Sequence, residues 1–139
     1  MRRIAFDLDE TLGTPLIDGG AFAGWQMRPG AAELLARLGE RFRLVLWSVS
    51  PRRYLDKALS FGLARWFAES YSWDEVQGGW KDVRRLRVDL LVDDMPHHRQ
   101  AGEEAGLGAC YVVVPAYGSP EDAADPSAWV RLVEAACRQ

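Results

Sequence analysis

The sequence predicts an α/β protein: one doubly wound, Rossmann-like, mostly parallel sheet flanked by helices. Three observations carry that expectation. Four short apolar runs alternate with stretches of helical character, so strand follows helix follows strand. The runs are continuously apolar rather than alternating, as suits parallel strands covered on both faces. Three of them end in candidate chemistry: Asp7 and Asp9 after the first, Ser48 after the second, Asp93 and Asp94 after the third. In an open parallel sheet, ligands bind beyond the carboxyl ends of the strands, so these residues are expected to meet at one edge.

In chain order, residues 2–8 form the first strand. Residues 13–28 read as a loop, and "PGAAELLARLGE" as a helix opening after Pro29 and Gly30. "FRLVLWSVS" is the second strand. "SPRRYLDKALSFGL" is a helix with Ser50 as N-cap, Pro51 at its first position and Gly62 as its stop. "VDLLVDD" is the third strand, "HHRQAGEEAGLG" an amphipathic helix, and "ACYVVVP" the fourth strand, closed by Pro115. A Gly- and Pro-punctuated loop spans 115–126. The terminal "DPSAWVRLVEAACR" is a helix with Trp129, Leu132, Val133 and Ala136 on one face.

Composition limits the function. A chain of 139 residues with 48% hydrophobic content is expected to fold as a single domain over residues 1–139. The net charge of −3 gives no global attraction for a polyanion, and Arg52, Arg53, Arg84, Arg85 and Arg87 read as solvated helix faces. Cys110 and Cys137 have neither metal-site spacing nor a disulfide framework, which points to a reducing cytoplasm. The apolar run before Asp7 is too short for a signal peptide or a membrane span.

Asp7 and Asp9, two apart on an extended chain, share a side, and their like charges call for a cation. With Asp93 and Asp94 they make an oxygen-rich, hard site of the kind that suits Mg²⁺ rather than zinc. Ser48 adds a hydroxyl donor and Lys81 a positive charge, the combination that positioning and neutralising a phosphoryl group requires.

The motifs "DLDET" (7–11), the serine closing "LVLWS", the lysine of "WKD" and the acidic pair of "LVDDMP" together resemble the haloacid dehalogenase (HAD) superfamily of phosphohydrolases. Within it, "DLDETL", "MRPGAAELL", "LWSVSPRRYLDKAL" and "WKDVRRLRVDLLVDD" look most like the small-cap NIF and RNA polymerase C-terminal-domain phosphatase group. The resemblance covers about residues 4–96. It implies a Mg²⁺-dependent phosphatase in which Asp7 attacks phosphorus and forms an aspartyl-phosphate. Asp9 would protonate the leaving oxygen and later activate water, its carbonyl binding Mg²⁺. Ser48 and Lys81 would hold the phosphoryl group, and Asp7, Asp9, Asp93 and Asp94 would form the metal site, with Asp94 the direct ligand. Thr11 shapes the turn. The loop 13–28 is too short for a folded cap, which implies an open site for a phosphorylated macromolecule, nucleotide or nucleic-acid end, with a small phosphoester as the other option. A receiver-like phospho-accepting module and a silent binding domain are the rival readings; the position of Lys81 before Asp93 and Asp94 disfavours the first.

Glu10 has no role in this reading, and the adjacent His97 and His98 read as solvated. Of six tryptophans, Trp66 and Trp129 are expected in the core. Trp25, Trp47, Trp73 and Trp80 flank the expected mouth, and packing is the expected role for each.

Overall fold

A computed structural model describes residues 2–139. It has a five-stranded, all-parallel sheet, built from β1 (Arg3–Phe6), β4 (Arg43–Trp47), β5 (Glu69–Tyr71), β6 (Leu90–Asp93) and β7 (Tyr111–Val113). The spatial order is β5-β4-β1-β6-β7, so β1 is central and the winding reverses beside it. The four expected strands are all present. Residues 13–28 are not a loop: β2 (Gly13–Asp18) and β3 (Ala21–Met27) form an antiparallel hairpin outside the main sheet. Its turn, Gly19-Gly20, has φ of 57° and 82°, the left-handed geometry that a two-residue hairpin turn demands.

The helices are α1 (Ala31–Gly39), α2 (Arg52–Leu59), α3 (Val83–Leu86), α4 (Pro96–Glu104), α5 (Pro120–Ala124) and α6 (Ala128–Cys137). The short α5 interrupts the stretch 115–126 expected to be loop. Two details of the helices differ from the sequence reading. Ser50 does not cap α2, which starts after Pro51; the Ser50 hydroxyl instead lies 2.6 Å from that of Ser48. On α6 the buried stripe is Trp129, Val133 and Cys137, spaced four apart, while Leu132 is exposed.

Period-2 alternation on the strands splits the core in two. Ile4 and Phe6 of β1, with Leu44, Leu46, Leu90 and Val92, pack on Leu34, Leu35 and Leu38 of α1, Leu55 of α2 and Trp129 of α6. Ala5, Val45, Trp47 and Leu91 face the other way, toward Val83, Val88 and Tyr111. Trp47 belongs to this second core rather than to the mouth, and Trp66 is half-buried against the first. Burial of both sheet faces is the reason the strand segments read as uninterrupted apolar runs.

Register fixes the site. Phe6 pairs with Leu46 on one side and Val92 on the other, and the Asp7 amide donates to the Val92 carbonyl at 2.9 Å. Asp7 and Asp93 therefore leave adjacent strands at the same height, with Ser48 one residue beyond them, just past the end of β4.

Gly102 on α4 lies so close to Tyr111 that a β-carbon there would stand 2.3 Å from the ring. Overpacking of this kind costs about 1–3 kcal/mol, against about 1 kcal/mol that alanine gains over glycine in a helix. Gly102→Ala is therefore expected to lower the urea midpoint, and an unchanged or raised midpoint would contradict the close packing of α4 on β7.

Candidate active site

The residues singled out from the sequence come together. Asp7, Asp9, Ser48, Lys81, Asp93 and Asp94 all line one cavity of about 570 Å³ at the carboxyl edge of the sheet. At its centre is the Lys81 ammonium, almost wholly buried, which donates to Asp7 Oδ1 at 2.8 Å and to Asp93 Oδ2 at 2.8 Å. Burial alone would pull its pKa down, but the two carboxylates outweigh burial and hold it above the ordinary lysine value.

Lys81 lies in irregular chain before α3, so its placement needs explaining. Two contacts pin its backbone. The Lys81 amide donates to His98 Nδ1 at 2.8 Å, and the Tyr111 hydroxyl donates to the Lys81 carbonyl at 2.7 Å while accepting from the Val83 amide at 3.1 Å. His98 is thus buried and structural, not solvated as the sequence suggested. Burial, then the nearby Lys81 charge, pushes its pKa down to about 3, so the ring stays neutral and keeps Nδ1 as an acceptor.

The turn after β1 sets the other side. Leu8 and Leu12 are fully buried anchors, the Leu12 amide donates to the Leu8 carbonyl at 3.0 Å, and Glu10 between them takes a left-handed φ of 64°. The turn aims Thr11 back at the site. Its hydroxyl oxygen lies 3.0 Å from Asp7 Oδ2 and 3.0 Å from Asp94 Oδ1, and accepts from the Asp94 amide at 3.1 Å. Thr11 is therefore a site residue, beyond the turn-shaping role read from the sequence.

One hydroxyl proton cannot satisfy two carboxylates. The oxygens of Asp7, Asp93 and Asp94 lie within 4.8 Å of one another, and burial, with Asp7 next to it, pushes the Asp94 pKa up to about 7. This hard, all-oxygen donor set fits a divalent cation such as Mg²⁺. Asp93 contributes least to it, because Lys81 takes its Oδ2 and the Met95 amide donates to its Oδ1 at 2.9 Å. The Asp9 carboxylate stands apart from the trio: its Oδ1 accepts from the Tyr54 hydroxyl at 2.5 Å. Burial raises the Asp9 pKa, with the Asp7 and Glu10 charges acting the same way against the Tyr54 bond.

Ser48 completes the cavity. Its amide donates to the Tyr71 carbonyl at 3.0 Å, and its hydroxyl, nearly buried, accepts from the Ser50 amide at 3.1 Å. Tyr54 and Tyr111 have no sequence signal of their own. Both are aromatic residues in elements whose packing alone would account for them.

No family model matches the sequence, and no curated protein matches it. Solved structures do. A Thermotoga maritima protein assigned as a beta-phosphoglucomutase is similar over 97% of this chain and 99% of its own, with TM-score 0.66 at 14% identity. The two share a fold. A HAD-superfamily hydrolase of subfamily IA from Geobacter sulfurreducens is similar over 91% of this chain and 99% of its own, with TM-score 0.59 at 13% identity. The fission yeast RNA polymerase II CTD phosphatase Fcp1, bound to beryllium fluoride, is similar over 84% of this chain, at TM-score 0.62 and 16% identity; the match spans 42% of that protein's chain. Among the described residues there is no large cap domain; the β2–β3 hairpin follows β1. Among the described residues, no helix is long and apolar enough to cross a membrane.

The raised Asp94 pKa gives a signed expectation. Between its unfolded value of 3.8 and about 7, the folded protein binds the extra proton, so stability contributed by protonated Asp94 is full below that range and lost above it. Without divalent cation, the melting temperature should fall as pH rises through this window. Mg²⁺ should restore it at about pH 8 far more than at about pH 5, where protons compete for the carboxylates. Asp94→Asn should flatten both effects in thermal melts. A Mg²⁺ response equal at both pH values would contradict this picture.

Proposed function

We propose that this chain is a Mg²⁺-dependent phosphohydrolase that works through an aspartyl-phosphate on Asp7. The observation that carries the reading is the pairing of two carboxylates, two residues apart, with different partners, Lys81 for Asp7 and Tyr54 for Asp9. Asp7 accepts from the Lys81 ammonium at 2.8 Å, while burial raises the Asp9 pKa and the Tyr54 hydroxyl fixes its carboxylate. A nucleophile and a proton donor are what a two-step displacement at phosphorus needs.

In the first step an Asp7 carboxylate oxygen bonds to phosphorus as the bond to the leaving oxygen breaks, and Asp9 delivers its proton to that oxygen. In the second, Asp9 takes a proton from water, the water oxygen bonds to phosphorus, and the bond to Asp7 breaks, releasing phosphate. Ser48 donates a hydrogen bond to a phosphoryl oxygen, and Lys81 offsets charge on Asp7 and on the transferring group. Asp7 and Asp94, with Asp93 behind them and the Asp9 carbonyl, would hold Mg²⁺, which when bound neutralises charge on the phosphoryl oxygens. A module built to retain its phosphate has no use for a positioned base at Asp9, which favours turnover over the receiver-like reading.

The likeness to HAD-superfamily enzymes supports the phosphatase assignment, and the similarity to a phosphatase bound to beryllium fluoride is consistent with phosphoryl chemistry at this edge. The open cavity fits a phosphorylated macromolecule or nucleotide.

Hydrolysis of an aryl phosphate with Mg²⁺ tests the assignment. Asp7→Asn should abolish it while leaving the circular dichroism spectrum and melting behaviour of a folded protein; residual activity at the wild-type level would sink the proposal. His98→Ala should act indirectly by releasing the Lys81 backbone. Misplacement of a catalytic group by about 1 Å can cost on the order of 100-fold, so kcat should fall by tenfold or more with KM less affected, and an unchanged kcat would show that His98 does not position Lys81.

A further inference from the structure

Beside the catalytic cavity lies a second one of about 700 Å³, between the β2–β3 hairpin and α2, lined by Phe22, Pro51, Arg53, Tyr54, Lys57 and Asp74. The two share a wall. Tyr54 lines the groove yet bonds to Asp9 in the active site. Pro51 follows Ser50, and Asp74 follows Trp73; both Ser50 and Trp73 line the catalytic cavity, with Trp73 42% exposed at its mouth. Residues adjacent in the chain thus line both the catalytic cavity and the groove.

The groove is chemically unusual for this surface. Arg53 and Lys57 stand one turn apart on α2, both exposed, and among the described residues neither forms an ion pair. Their neighbour Arg52, by contrast, is taken up by Asp56 at 3.2 Å and by Glu75. Phe22 packs against Tyr54 at 5.0 Å and Phe61 at 5.4 Å between ring centroids, and the Lys57 ammonium lies 5.3 Å over Phe61. Two free cations in series beside aromatic faces, on a protein of net charge −3, are a local feature that the overall charge does not explain.

Resting on the phosphohydrolase reading, we propose that this groove binds a single nucleic-acid strand whose phosphorylated end reaches Asp7. Arg53 and Lys57 take successive backbone phosphates, and Trp73 and Phe22 offer faces to the bases. The groove has the volume of a pocket for a drug-sized ligand, room for a nucleotide or two and none for a duplex. A phosphopeptide presents repeated anions only when its own sequence repeats them, so it fits serial cations less well. Asp74, whose Oδ1 accepts from the Arg52 amide at 3.3 Å, sits at the start of α2, which leaves Arg53 and Lys57 as the phosphate contacts.

The test compares kcat/KM, with Mg²⁺, for thymidine monophosphate and for short single strands of thymidine carrying a 5′ or a 3′ terminal phosphate. One phosphorylated end should be hydrolysed about tenfold or more better than the mononucleotide at low salt, with the advantage eroded as salt rises. The double variant Arg53→Glu/Lys57→Glu should lose that advantage while hydrolysing an aryl phosphate like the unaltered protein, and Trp73→Ala should reduce it. Equal kcat/KM for strand and mononucleotide, a phosphopeptide preferred over both strands, or an equal loss on the aryl phosphate would overturn the groove proposal with the phosphatase reading intact. Should no phosphoester be hydrolysed in an Asp7-dependent way, the phosphatase reading fails. Anisotropy of a labelled strand on the Asp7→Asn protein then decides the groove separately: binding weakened by the charge reversal supports it, and absence of binding refutes it.

Discussion

The Lys81 ammonium, buried between Asp7 and Asp93, is the interaction on which the rest depends. Parallel strands β1 and β6 end side by side, so their acidic residues crowd one edge of the sheet with little water to screen them. Without a fixed cation, at least one carboxylate would have to take up a proton or turn out to solvent. Lys81 offsets charge on Asp7 and Asp93 through its two 2.8 Å bonds and leaves Asp94 without a cation of its own. Asp7, the proposed nucleophile, is thus held against a fixed positive charge, and the remaining acidic oxygens sit where a divalent cation fits.

The same lysine ties the site to the fold. Its backbone hangs on His98 of α4 and Tyr111 of β7, the helix that follows Asp94 and the strand that pairs with β6 at Asp93. On the other side, the strained turn at Glu10 is held by the buried side chains of Leu8 and Leu12 and by Arg28. That arginine lies under the surface, paired with Asp122 at 2.9 Å and 4.7 Å from the Trp129 ring, and donates to the Glu10 and Thr11 carbonyls at 3.4 Å each. Arg28 thereby connects the turn after β1 to α5 and α6.

Much of this was legible in the sequence, and the physical reasons differ from place to place. Strands covered on both faces must be apolar throughout, so β1, β4, β6 and β7 announce themselves, and the carboxylates at their ends stand out against that background. The hairpin is harder to read because most of β2 is exposed and its pattern is diluted by Pro15 and glycines; its one clear signal was the Gly19-Gly20 pair. On α6, the large Leu132 drew the reading away from Cys137, although spacing by four from Trp129 leads to the cysteine. His98 and Tyr54 act through single long-range hydrogen bonds, which leave no periodic trace; adjacent histidines look solvated until the fold turns one of them toward Lys81.

The central claim is that Asp7 itself carries the phosphoryl group. It is tested most directly by incubating the Asp9→Asn protein, impaired in the water-activating step, with Mg²⁺ and an activated aryl phosphate whose leaving oxygen needs no proton from Asp9, quenching in acid, and locating the added phosphoryl mass by peptide mass spectrometry. Asp7 is the expected site, with the label absent from Asp7→Asn. Hydrolysis without any label on Asp7, or a phosphoryl group found on Ser48 instead, would contradict the account.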